Sequence, residues 1–203
     1  MRTETEHTIY LKDYAASPYR IVSVDLDFRI GESQTRVRAL LTVEPQAETP
    51  PGTPLVLDGD GLALDSIAID GAPLVLSAYA ADATGLTIIE PPLRRFVLET
   101  EVTLQPESNT RLMGLYRSGG TWCTQCEAEG FRRITYYLDR PDNLAVFKVR
   151  ITAPQALAPV LLSNGNLVEQ GNAGDGMHFA VWEDPFPKPS YLFALVAGDL
   201  GSI

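Results

Sequence analysis

The sequence predicts an all-β fold, and three observations carry that expectation. Apolar and polar residues alternate with a period of two through several segments. Strand-like runs recur about every 8–12 residues, the spacing of a sandwich or a large curved sheet. Sixteen glycines and 15 prolines punctuate those runs, and no segment carries a long amphipathic helix.

Each element follows in order. Ile21 to Ile30 alternates at its end as a half-buried strand does. Gly31-Glu32-Ser33 is a turn, and Thr35 to Val43 reads as the partner strand of a hairpin. Pro45 to Pro54 is a Pro/Thr/Glu-rich connection. Leu55 to Gly61 is a strand ending in a turn, Leu64 to Ile69 is another strand, and Asp70-Gly71 before Ala-Pro-Leu-Val-Leu is a hairpin signal. Leu86 to Glu90 and Phe96 to Leu104 follow, then Ala145 to Thr152, Val160 to Ser163, His178 to Trp182 and Tyr191 to Val196. Glu127 to Arg133 is the best helical candidate, with a short turn near Asp142 to Ala145. Ser163 to Asn166 reads as a turn and Asp184 to Pro189 as a rigid proline-rich connection.

Composition narrows the function. A chain of 203 residues can bury roughly 70% of its unfolded surface and needs no staples. Hydrophobic residues at 45% and charged residues at 21% exclude a disordered or fibrous chain. No apolar run approaches the roughly 18 residues of a membrane span. The opening MRTETEHTIYLKDY reads as neither a secretory signal nor a transit peptide, so a cytoplasmic location is expected. Sixteen basic against 26 acidic residues give a net charge of −10, which argues against nucleic acid and anionic membranes. Such a surface is compatible with cations, a peptide's free ammonium among them, and equally serves solubility.

With only His7 and His178, H-E-x-x-H cannot be written, and neither histidine neighbours a nucleophile motif. The chain alone is therefore expected to be inactive and to bind no metal. Cys123-Thr124-Gln125-Cys126 is a CxxC, but it lacks the second ligand pair of a zinc knuckle and the βαβ setting of a thioredoxin. Two reduced, packed cysteines are the expected reading. Gln125, Glu127 and Glu129 would share a face if they lay on a strand, and such a face could hold an ammonium or simply be a solvated acidic edge. Asp139 to Asp142 reads as a turn with a local ion pair, and Trp122, Trp182, Phe186 and Tyr191 as core or loop anchors.

A resemblance then emerges from longer stretches. Gly114 to Gly120, Cys123 to Asp142, Leu161 to Asn166 and Trp182 to Asp199 resemble, in order and spacing, the N-terminal domain of bacterial aminopeptidase N, of the gluzincin zinc aminopeptidase family. Before Met113 the likeness lies in strand pattern and in Ile9 to Tyr14. The resemblance implies one saddle-shaped β-domain over residues 1–203, with residues 1–15 as an extended tail. It also implies that a catalytic domain of the same polypeptide, carrying H-E-x-x-H and one zinc ion, would begin past Ile203. Glu127 falls on the family's glutamate that helps bind a peptide's α-ammonium, and Gln125 on the glutamine lining the first-residue pocket. Arg132, Asp139 and Pro141 match a scaffold signature, from which Thr135, Tyr136, Tyr137 and Arg140 depart; Glu129 is expected to be structural. The implied function is to cap the active site and anchor peptides with a free N-terminus. Two rival readings stand beside it: a stand-alone β-sandwich module binding carbohydrate or protein, and a CxxC redox protein.

Overall fold

A computed structural model describes residues 10–201. His7, Ile9 and most of the expected tail lie outside the described residues. Fifteen strands follow one another: β1 Tyr19–Ile30, β2 Thr35–Pro45, β3 Leu55–Asp58, β4 Leu64–Ile69, β5 Ala72–Pro73, β6 Tyr79–Ala81, β7 Gly85–Ile88 and β8 Phe96–Leu104. Then come β9 Gly114–Ser118, β10 Thr121–Gln125, β11 Ala145–Pro154, β12 Val160–Ser163, β13 Asn166–Gly174, β14 Met177–Lys188 and β15 Leu195–Gly198. They form an eight-stranded sheet in the order β13-β14-β11-β1-β2-β8-β4-β5, a four-stranded sheet β12-β15-β10-β9 and a three-stranded sheet β3-β7-β6. Only β1 and β11 pair in parallel among the described strands.

Alternation decides which face of the large sheet is buried. In β2 Thr35, Val37, Ala39, Leu41 and Val43 point inward, and in β8 Phe96, Leu98, Thr100, Val102 and Leu104 do so. A one-residue slip would expose all of them, so register is strongly specified. The three sheets share one apolar cluster. At its centre Phe131 meets Tyr137, Phe193 and Phe147 with ring centroids 4.8, 5.2 and 5.9 Å apart, the edge-to-face geometry aromatic rings favour.

The β1–β2 hairpin forms as expected, and so does the Asp70-Gly71 turn, where both residues have positive φ. Its second arm, β5, is only two residues long, with one more backbone bond beyond it, from Leu74 N–H to Ile67 C=O at 3.1 Å. Four expectations are corrected. Glu127 to Arg133 is not a helix: four turn residues lead into a three-residue 3-10 turn, Phe131–Arg133. Tyr191 to Val196 is not one strand, since Ser190–Leu192 forms a 3-10 turn before β15. Asp184 to Pro189 is not a loop, because β14 runs on to Lys188. Within the expected tail, Leu11–Asp13 makes a 3-10 turn closed by Tyr14 N–H on Leu11 C=O at 3.1 Å. The nine-residue β13 was not legible, since it is exposed throughout and carries no alternation.

Candidate functional site

The segment from Gly114 to Asp139 is assembled from a hairpin, a turn and a buried polar knot. β9 and β10 are joined by Gly119-Gly120, both at positive φ, the backbone that two-residue hairpin loops require. β10 lies between β9 and β15, so its register is fixed on both sides. Gln125 ends β10, exposed, opposite Gly114. Cys126 then drops into the core, and Phe131 is fully buried five residues later. Between those two apolar anchors the chain makes the turn Glu127–Gly130, leaving Glu127, Ala128 and Glu129 exposed.

Close contacts shape this turn. Gly130 N–H donates to Cys126 C=O at 2.8 Å, and the Gln125 side-chain amide donates to Glu127 C=O at 3.2 Å. A Cβ on Gly130 would lie 2.4 Å from Gln125 O and 2.9 Å from Cys126 Cα, so a side chain there would push the turn off its seat. The Glu127–Ala128 peptide bond is cis. Gln125 Nε2 is thus directed inward along the turn, while the Glu127 carboxylate stands in solvent, and no side chain in the structure bonds to it among the described residues.

Asp139 is the centre of the knot beneath. Its carboxylate is buried and accepts from Arg132 N–H, from Arg132 Nε at 3.1 Å and from Ser190 Oγ at 2.6 Å. Asp139 N–H donates in turn to Asp58 Oδ2 at 3.1 Å. Arg132 also reaches Asp58 and Glu129, each at 3.5 Å. Burial works against the Arg132 charge; Asp58, Asp139 and Glu129 outweigh it and hold its pKa above the ordinary arginine value. Arg133 pairs with Asp60 at 2.6 Å. Tyr137 and Asp58 exchange backbone bonds, and Asn143 ties the Tyr137 hydroxyl to Ile21 N–H. Ordered, satisfied polar groups of this kind specify one geometry.

Several expectations meet this geometry. Gln125 at the end of β10 and Glu127 on the turn that follows stand close together, but Gln125, Glu127 and Glu129 do not share a strand face, because β10 ends at Gln125. A cleft of about 910 Å³ lies beside the turn, lined by Asp60, Arg111, Met113, Ala128, Glu129 and Arg133 among others. Neither Gln125 nor Glu127 lines it; they stand on open surface. Glu129, exposed, reaches Arg132 at 3.5 Å. The expected local pair forms between Arg140 and Asp142, whereas Asp139 turns inward to Arg132. Trp122 is buried and Trp182 donates to Leu161 C=O, but Phe186 is exposed and anchors nothing. Cys123 and Cys126 are free thiols; burial pushes Cys126 well above the ordinary thiol range, opposite to a redox nucleophile. Among the described residues no group of three or more His, Cys, Asp or Glu could hold a metal ion. No helix among them is long and apolar enough to cross a membrane. The anchors Asp58 and Asp60 escaped sequence reading, because only their place at the end of β3 brings them under Arg132 and Arg133.

The profile of the Peptidase M1 N-terminal domain family matches residues 17–192. The chain belongs to that family. Its curated relatives include the aminopeptidase N of Caulobacter vibrioides, 55% identical over 98% of this chain and 23% of that protein. The aminopeptidase N of Escherichia coli is 46% identical over 97% of this chain and 22% of its own. A crystal structure of Legionella pneumophila aminopeptidase A in complex with aspartic acid superposes with a TM-score of 0.89 at 40% identity, over 94% of this chain and 22% of that one. An M1 zinc metallopeptidase from Deinococcus radiodurans shares the fold at 24% identity, with a TM-score of 0.76. The M1 N-terminal domain thus spans less than a quarter of the length of these aminopeptidase N relatives.

Proposed function

We propose that this M1 N-terminal domain is the amine-anchoring, active-site-capping part of a zinc aminopeptidase that removes N-terminal residues from peptides. The domain extends over residues 1–203, and a catalytic domain of the same polypeptide is its partner. The observation that carries the reading is the Glu127 turn. It presents an exposed carboxylate from a seat fixed by Cys126, Gly130 and Phe131, in a chain whose relatives are named aminopeptidase N. Opposed to a second surface, that carboxylate would leave water and meet the substrate ammonium. Such a charge-assisted hydrogen bond is worth about 1.5–3 kcal/mol. Gln125, with Nε2 engaged on Glu127 C=O, keeps its Oε1 as an acceptor facing the first residue.

A peptide with a blocked amine would leave the Glu127 carboxylate desolvated and unpaired, which accounts for exopeptidase selectivity. The donor set among the described residues does not fit a zinc site, and we assign the metal to the catalytic domain. Two free cysteines three positions apart suit a reducing compartment, and we place the protein in the cytoplasm.

The test is kinetic, on the full-length protein. Glu127→Ala is expected to lower kcat/KM on aminoacyl substrates roughly 10- to 150-fold, the equivalent of the lost bond, with zinc content and folding unchanged. Unchanged kcat/KM would overturn the assignment. A stand-alone binding module has no comparable observation in its favour.

A further inference from the structure

The outer face of the eight-stranded sheet carries a charge pattern unrelated to the Glu127 turn. Cross-strand neighbours can be read as rungs from β14 through β11, β1 and β2 to β8. One rung is Glu183, Lys148, Asp25, Leu40, Glu99, and the next is Val181, Arg150, Asp27, Arg38, Glu101. On both, every two charged residues directly opposite each other are of opposite sign, as an exposed sheet face should have them. The third rung breaks the rule: Phe179, Thr152, Arg29, Arg36, Thr103. Two arginines stand directly opposite each other there, between two threonines, with no carboxylate on the rung. Like charges directly opposite destabilise a sheet.

Nearby carboxylates do not resolve this. Arg36 reaches diagonally to Glu101 at 3.1 Å, and Arg38 to Glu99 at 2.7 Å. Arg29 and Arg150 have no carboxylate at ion-pair distance among the described residues. Arg150 lies instead over the Phe179 ring, 3.7 Å from its centroid, which fixes the guanidinium while leaving its N–H groups to other acceptors.

The rung is also walled on one side. Exposed Asn172 and Ala173 of β13 and half-buried Phe179 of β14 stand beside it, and Thr152 is buried although it faces outward. The result is a cavity of about 420 Å³ lined by Arg29, Arg36, Arg38 and Arg150 against only Asp27 and Glu101. Asn172 Oδ1 accepts from Gly174 N–H, so its amide N–H₂ is the remaining polar group on that wall. Four guanidiniums, two of them without an acidic partner, form a cationic cavity in a chain of net charge −10.

The geometry points to a binding site for a small oxyanion carrying two or more negative charges, held by Arg29 and Arg150 and flanked by Arg36 and Asn172. Phosphate esters and polycarboxylates share the chemistry that arginine forks recognise. The anion removes the Arg29–Arg36 repulsion, so it both binds and quiets the rung.

Calorimetric titration of the full-length protein with sodium pyrophosphate, and separately with citrate, at low ionic strength tests this. Saturable binding of one anion per chain is expected, weakened about tenfold or more in Arg29→Gln and in Arg150→Gln and unchanged in Arg20→Gln, which removes an exposed pair with Glu44 elsewhere. Binding of pyrophosphate alone would assign a phosphate source and binding of citrate alone a polycarboxylate, while equal binding of both would support a site for either oxyanion. Absence of binding to both, or binding that survives Arg29→Gln and Arg150→Gln, overturns the site.

Discussion

In the β1–β2–β8 ladder, past the bulge at Val22-Ser23, every second side chain is buried and backbone bonds run from strand to strand, whereas from Cys126 to Asp139 a single 3-10 turn is the only regular element. The ladder is held by apolar burial and register. The corner is held by two apolar pins, Cys126 and Phe131, and by the Arg132–Asp139–Asp58–Ser190 knot. The difference teaches where a recognition group can stand. A ladder residue facing outward is positioned only to within a pleat, but a turn clamped at both ends can present one carboxylate from a fixed backbone.

If that contrast is right, the corner should fail through polar substitutions and the ladder through apolar ones. The largest effect is expected for Asp139→Ala. It leaves Arg132 half-buried without its closest partner and Ser190 without an acceptor, at a cost of about 3–5 kcal/mol, measured by denaturant unfolding. Leu41→Ala, fully buried in β2, should cost about 2–5 kcal/mol. A loss below about 1 kcal/mol for Asp139→Ala would show that the knot is incidental. Next is Gly130→Ala, whose methyl has no room against Gln125 O and Cys126 Cα. It should cost about 1–3 kcal/mol and also raise KM for amine-bearing substrates of the full-length protein, because the turn must shift. A stability loss without a kinetic one would separate the seat from the function.

Smaller effects probe the pins and the clasp. In the native protein Cys126 should resist an alkylating probe at neutral pH, while Cys123, half-exposed on β10, should react ahead of it, as peptide mapping would reveal. Equal labelling would mean that the corner opens readily. The smallest effect belongs to Asp142, which accepts from Tyr14 OH at 2.6 Å and pairs with Arg140. The Arg140 hydrogen bond, with help from Tyr14, holds its pKa below the ordinary aspartate value. A depressed carboxylate contributes stability that is present above the unfolded value and lost as pH falls through the folded one. The clasp should therefore loosen only below about pH 4, and Asp142→Asn should cost less than about 1 kcal/mol at pH 7, read from thermal unfolding.

The same contrast explains what the sequence could reveal. Phe96 to Leu104 alternates, one face is buried, and periodicity alone located β8. The Asp70-Gly71 turn announces itself through residues that tolerate positive φ, whereas Gly119-Gly120, equally tolerant, joins two strands that the pattern did not mark. The corner has no period. Glu127 to Arg133 carries residues that suit a helix, yet the burial of Cys126 and Phe131 and the contacts of Gly130 overrule that propensity. For Gln125 and Glu127 spacing left an ammonium site and a solvated edge both open, and only resemblance to a family singled the pair out; the structure sets Gln125 at the end of β10 and Glu127 on the turn that follows, not on one strand face. Arg29 and Arg36 were each visible in the sequence, but their opposition depends on the register of β1 against β2.

The most direct measurement of the central claim is a double cycle in the full-length protein. Wild type, Glu127→Gln and Glu127→Ala would each be titrated with an aminoacyl competitive inhibitor and with its des-amino counterpart. The amine-anchoring account predicts that both substitutions weaken the amine-bearing inhibitor by roughly tenfold or more and leave the des-amino compound almost unaffected. Equal weakening of both compounds would contradict it, and would make Glu127 a residue of shape and not of charge.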